Sequence, residues 1–79
     1  MLTIYTTSWC GYCTRLKRQL DQEGIPYEMV DIEQNPQAEQ IVRAVNNGNA
    51  TVPTVVFDDG TAMTNPSLRQ VTEKVASAA

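Results

Sequence analysis

The chain has 79 residues, of which 42% are hydrophobic and 19% charged, a balance that suits one small globular core and excludes a disordered or low-complexity chain. Six basic against nine acidic side chains give a net charge of -3, the wrong sign for the concentrated basic patch that nucleic-acid phosphates need. No apolar run approaches membrane-spanning length, and Met1-Leu2-Thr3-Ile4-Tyr5 carries neither the basic nor the apolar region of a secretory signal. The expectations are one domain over residues 1–79, no nucleic-acid or membrane partner, and a cytoplasmic location.

Leu2–Thr6 alternates apolar and polar side chains with β-branched and aromatic residues, which predicts a first strand. Over residues 11–23, Cys13, Leu16 and Leu20 recur at i, i+3 and i+7, predicting a helix that Gly24 stops. Ile25-Pro26 is a turn, and residues 27–32 read as a second strand. Strand, helix and strand at this spacing form a βαβ unit with parallel strands.

Asn35-Pro36 supplies a cap and a first-turn proline for a second helix, whose apolar face is Ala38, Ile41, Val42 and Val45 and whose end is Asn46-Asn47-Gly48. Residues 52–57 predict a third strand, and Asp58-Asp59-Gly60 a tight turn into a short fourth strand over residues 61–63. Asn65-Pro66 repeats the cap-plus-proline signal before a last helix lined by Leu68, Val71 and Val75. The order is βαβαββα. The expected core is Leu16, Leu20, Ile41, Val42, Val45, Leu68, Val71 and Val75.

Both cysteines of the chain, Cys10 and Cys13, stand as C-x-x-C where the first strand gives way to the first helix. Residues i and i+3 share a helix face, so the pair can close and open as a disulfide. Unpaired N–H groups and the positive dipole end stabilise an anion at a helix start, where thiol pKa values fall from about 8.5 to roughly 3.5–7.5. Cys10 is therefore the expected nucleophile, accepting bonds from the N–H groups of Tyr12 and Cys13, and Cys13 the resolving thiol. Arg15, Lys17 and Arg18 act in the same direction, weakened by solvent.

The pair has other readings. As a staple it closes a loop of only four residues, worth about 2 kcal/mol. As a structural zinc site it lacks ligands, since the chain has two Cys and no His; a metal or iron-sulfur cluster shared between two chains, completed by outside thiols, stays open. Pro53, at the mouth of an apolar strand, marks either a cis bond or an ordinary strand entry. Trp9 reads as rim or as local packing, Tyr12 as ligand contact or surface, and Asp31 and Glu33 as proton relay or loop.

Cys10-Gly11-Tyr12-Cys13 after a strand, Val30-Asp31-Ile32, Thr51-Val52-Pro53 and the turn before the last helix together resemble the glutaredoxin branch of the thioredoxin fold. The resemblance spans the chain and implies an α/β fold with a four-stranded mixed sheet flanked by three helices. It also implies a cis Pro53 beside the cysteines, and a Val52 backbone that pairs with a bound low-molecular-weight thiol by strand addition. Glutathione-using members commonly have Lys where Thr7 stands, and a Gly-Gly turn with an acidic or hydroxyl residue at the last helix where Thr64-Asn65-Pro66-Ser67 stands. Thr64 and Asn65 offer hydrogen bonds to a neutral sugar instead.

Thr7 to Cys13, Val45 to Asn49 with Thr51 to Thr54, and Gly60 with Thr64-Asn65-Pro66 are similar to the mycoredoxins, actinobacterial members that use mycothiol, an acetylcysteine carried on glucosamine and inositol. That likeness implies a monomer with no tightly bound cofactor, mycothiol as co-substrate, and removal of mycothiol from mycothiolated proteins by a monothiol route. Mycothiol disulfide reductase would be an indirect partner. The substrate-binding set would be Trp9, Tyr12, Thr51, Val52, Pro53, Thr64 and Asn65. A glutathione-type glutaredoxin, a ribonucleotide-reductase-linked redoxin and an iron-sulfur carrier are the alternatives.

Overall fold

The computed structural model describes residues 1–78. Its elements are β1 (Leu2–Thr6), α1 (Gly11–Gln22), β2 (Tyr27–Asp31), α2 (Pro36–Val45), β3 (Thr54–Val56), β4 (Ala62–Thr64) and α3 (Leu68–Ala78). The strands form one sheet in the order β2-β1-β3-β4, parallel between β1 and β2 and antiparallel elsewhere. This is the mixed four-stranded sheet with three helices that the resemblance implies.

The period of two along β1 sorts the core into two faces. Leu2 and Ile4 pack with Leu16 and Leu20 of α1, Val55 and Phe57, and Val71 of α3. Tyr5 faces the other way, onto Ile32 and the Ala38 and Val42 side chains of α2. The sheet is thus covered by α1 and α3 on one face and by α2 on the other.

Local chemistry ends the helices where the sequence indicates. After α1, Gly24 takes φ +68°, its N–H donates to Asp21 O at 3.2 Å and the Ile25 N–H to Leu20 O at 3.0 Å, a Schellman closure. Asn35 caps α2 by accepting from the Ala38 N–H at 3.2 Å. Tyr27 donates to Asp21 at 2.7 Å, tying β2 to α1; burial and that carboxylate push its phenol up to about 12.

Several expectations are corrected. Ile41 and Val45 are 46% and 45% exposed, not core. At about 100° per residue, the buried side of α2 centres on Val42 and turns toward Asn46, which is half-buried and bonded to the sheet. Val45 and Ile41 lie on the opposite flank. Leu68 and Val75 are only partly buried, packing on the rim of the core.

Strand ends also shift. β2 stops at Asp31, β3 starts only at Thr54, after the peptide bond before Pro53, and β4 runs one residue later than expected. Asn65 does not cap α3. It takes φ +46° and donates its backbone N–H to Pro53 O at 2.7 Å. The cap is the reciprocal pair of Ser67 and Gln70: the Gln70 N–H donates to Ser67 Oγ at 3.2 Å, and the Ser67 N–H to Gln70 Oε1 at 2.9 Å.

Candidate active site

Four strand ends converge where β1 finishes. The register Thr6↔Asp31 brings the end of β2 to one side, Tyr5↔Thr54 brings the start of β3 to the other, and Thr54↔Thr64 places the end of β4 beyond it. The chain leaving β1 turns through Thr7-Ser8-Trp9, closed by the Cys10 N–H donating to Thr7 O at 3.4 Å, and enters α1.

Cys10 is the N-cap of α1, with extended backbone angles (φ -82°, ψ 106°). Its Sγ accepts the Cys13 N–H at 3.1 Å. Among the described residues the expected second bond, from the Tyr12 N–H, is not made. The two sulfurs are joined as a disulfide, with 5.2 Å between the Cα atoms, inside the range a disulfide requires. Opened by reduction, a thiolate at Cys10 keeps the same donor and the dipole end of α1, both of which favour the anion.

Cys10 and Cys13 are 5% and 2% exposed, while Trp9 and Tyr12 beside them are 71% and 65% exposed. The sulfurs are therefore covered, while the aromatic side chains that neighbour them in sequence reach into solvent. Trp9 is held by its indole N–H donating to Glu33 Oε2 at 3.2 Å. The Glu33 N–H in turn donates to Asp31 Oδ1 at 2.9 Å, so both acids serve the loop after β2. Arg15, Lys17 and Arg18 lie exposed along α1.

The Val52-Pro53 peptide is cis, as the resemblance implies, and the Pro53 side chain is buried. Val52 is half-buried and Thr51 exposed. The Thr51–Thr54 segment is held by Asn46, whose Nδ2 donates to Val42 O at 2.8 Å and to Thr54 Oγ1 at 3.0 Å, and whose Oδ1 accepts from the Thr64 hydroxyl. Thr54 donates onward to Thr51 O at 2.7 Å. Thr64, expected to face a ligand, uses its proton on Asn46; Asn65 remains exposed next to Pro53. Thr7 Oγ1 is buried without a hydrogen-bond partner among the described residues.

Sequence reasoning passed over Asn46 and the Ser67–Gln70 cap. The cap was legible as S-x-x-Q before an apolar helix. Asn46 gave no such signal, because an Asn at a helix end is explained by termination alone.

With this geometry in place, the family model for glutaredoxins matches residues 2–61. The chain belongs to the glutaredoxin family. It is 56% identical over 78 residues to a protein of Mycobacterium tuberculosis named as a glutaredoxin, covering 99% of this chain and 93% of that one. It is 44% identical over 78 residues to Mycoredoxin 1 of Corynebacterium glutamicum, covering 99% and 96%. Among solved structures, the NrdH-redoxin of Escherichia coli superposes with TM-score 0.78 at 26% identity, over 91% of each chain. As a glutaredoxin, the protein is a thiol-disulfide oxidoreductase, with its C-x-x-C at Cys10 and Cys13.

Proposed function

We propose that this glutaredoxin removes mycothiol from mixed disulfides on proteins, in the cytoplasm. The single observation that supports Cys10 as nucleophile is its Sγ at the N-cap of α1, accepting the Cys13 N–H. Likeness to Mycoredoxin 1 supports the choice of thiol. So does the absence, at Thr7, of a side-chain cation that would pair with a glutathione carboxylate.

The Cys10 thiolate attacks the mycothiol sulfur of the mixed disulfide. The protein's sulfur leaves with the electron pair and takes a proton from water, and Cys10 is left bonded to mycothiol. A second mycothiol thiolate attacks the mycothiol sulfur of that adduct, releasing mycothiol disulfide and restoring Cys10. In the side branch, the Cys13 thiolate attacks Cys10 Sγ, expels mycothiol and forms the Cys10–Cys13 disulfide. Thr51, Val52 and Pro53 receive the cysteinyl part of the thiol by strand addition, with Trp9 and Tyr12 as walls and Thr64 and Asn65 toward the sugar.

The test presents the reduced protein with mycothiol and glutathione mixed disulfides of one target protein in parallel. Faster exchange with the mycothiol form is expected. Equal rates, or rates favouring glutathione, overturn the choice of thiol and leave the oxidoreductase activity intact.

A further inference from the structure

The side-chain cations are not spread evenly over a chain whose net charge is -3. Arg43 pairs with Glu39 at 3.5 Å, Arg69 with Glu73 at 3.0 Å and Lys74 with Asp59 at 2.7 Å. Arg15, Lys17 and Arg18 are exposed on α1 and have no ion-pair partner among the described residues. The side-chain cations free of the chain's own carboxylates are thus gathered on the helix that Cys10 caps.

Carboxylates lie on the other bank of the cysteines. Glu33 accepts the Trp9 indole N–H at 3.2 Å, and Asp31 accepts the Glu33 N–H at 2.9 Å, where β2 ends beside β1. The first turn of α1 holds no acidic residue. The potential across Cys10 therefore changes sign, from negative beside Trp9 to positive along α1, and a chain approaching the cysteines meets both.

Distance sets which part of a partner meets the α1 charges. At about 1.5 Å per residue, Lys17 and Arg18 stand roughly 10–12 Å along the helix from Cys10. An extended chain covers about 3.3 Å per residue, so they lie beside positions three or four away from a cysteine brought to Cys10. The side of α1 turned toward the start of α3 is lined by Tyr12, Arg15 and Gln19, and Lys17 and Arg18 lie outside it. They stay open to a protein partner while a small thiol is bound.

Resting on Cys10 as the nucleophile toward mixed disulfides of proteins, and not on which small thiol these carry, we infer that Lys17 and Arg18, together with Arg15, form a docking strip for an acidic segment of the client protein. That segment carries Asp or Glu three or four residues from the mixed-disulfide cysteine. A nucleic acid fits less well, because its charge runs along its whole length and meets the acidic bank too.

The test compares three peptides, each with one cysteine held as a mixed disulfide with mycothiol and, in a parallel set, with glutathione. One has Glu at the third and fourth positions before the cysteine, one has them after it, and in the last all those positions are Gln. The quantity read is the ratio of kcat/KM between an acidic peptide and the Gln peptide, in which any change in the reactivity of Cys10 itself cancels. In the wild type, one of the acidic peptides is expected to exceed the Gln peptide about five-fold at low salt, the order of two exposed ion pairs. The advantage is expected to vanish near 1 M salt, where the Debye length is about 3 Å.

Lys17→Gln/Arg18→Gln is expected to lose the advantage, and Lys17→Arg/Arg18→Lys, which keeps both charges, to retain it. Gln, Lys and Arg are all good helix formers, so α1 is preserved, and circular dichroism checks it. The docking strip is overturned by an advantage absent from the wild type, by one that survives high salt or the Gln variant, or by its loss in the charge-keeping variant. A wild type that exchanges none of the peptides with either thiol overturns the reading of Cys10 instead.

Discussion

Replacing Asn46 by Ala removes the side chain that joins the end of α2 to the Thr51–Thr54 segment and to β4. Three hydrogen bonds go: to Val42 O at 2.8 Å, to Thr54 Oγ1 at 3.0 Å and from the Thr64 hydroxyl. Each contributes about 0.5–1.5 kcal/mol net, but not equally. Thr64 is exposed and water replaces its partner. The Val42 carbonyl lies in the last turn of α2 and is still served by the Asn46 backbone N–H at 3.1 Å. Thr54 is fully buried, and its hydroxyl keeps only the bond it donates to Thr51 O, so most of the loss falls there.

The sum is about 1.5 kcal/mol, which in a domain of this size lowers Tm by roughly 6–12 °C. Because the freed segment carries Val52 and Pro53, KM for the mixed disulfide is expected to rise several-fold while kcat for a thiolate attack at Cys10 changes little. Thermal unfolding of the reduced protein and steady-state exchange kinetics measure both effects. A Tm within about 1 °C of wild type together with an unchanged KM would show that Asn46 is not the tie described here.

Cys10→Ser is expected to abolish exchange, and Cys13→Ser to retain most of it with mycothiol as reductant; an inactive Cys13→Ser protein refutes the monothiol route. On α2, Val42→Ala is expected to cost about 2–3 kcal/mol from lost burial and a residual cavity, whereas Ile41→Ala and Val45→Ala stay within about 0.5 kcal/mol; equal costs in urea unfolding contradict the orientation of the helix. The Lys74 ammonium, 2.7 Å from Asp59, and hydrogen bonds from Thr61 hold the Asp59 carboxyl well below the usual carboxylate range. A carboxyl depressed in the folded state adds stability above its unfolded pKa and loses it as pH falls toward the folded value. The gap in urea midpoint between wild type and Asp59→Asn is therefore steady above about pH 5 and shrinks below about pH 4; a gap that widens on acidification refutes the pairing.

Much of this protein is written locally. The period of two in Leu2–Thr6, the i, i+3, i+7 spacing of Cys13, Leu16 and Leu20, and the stops at Gly24 and Gly48 depend on near neighbours, so they are legible from the chain, as is C-x-x-C at a strand-to-helix junction. The rotation of α2 was not. Val45 and Asn46 differ by one position on the helix, and only bonds to Thr54 and Thr64, distant in sequence, decide which of them meets the sheet.

The cap of α3 was mistaken for the same kind of reason. Asn65-Pro66 carries a local capping signal, but the Asn65 N–H is drawn to Pro53 O on the neighbouring strand. Ser67 and Gln70 then take over the helix start. The amino-acid sequence by itself determined the elements, the family and the reactive pair of sulfurs. The placement of Asn46 on the Thr51–Thr54 segment and that of Asn65 beside Pro53 were decided only when the sheet brought β3, β4 and two helix ends together, because those contacts join residues whose spacing along the chain carries no pattern.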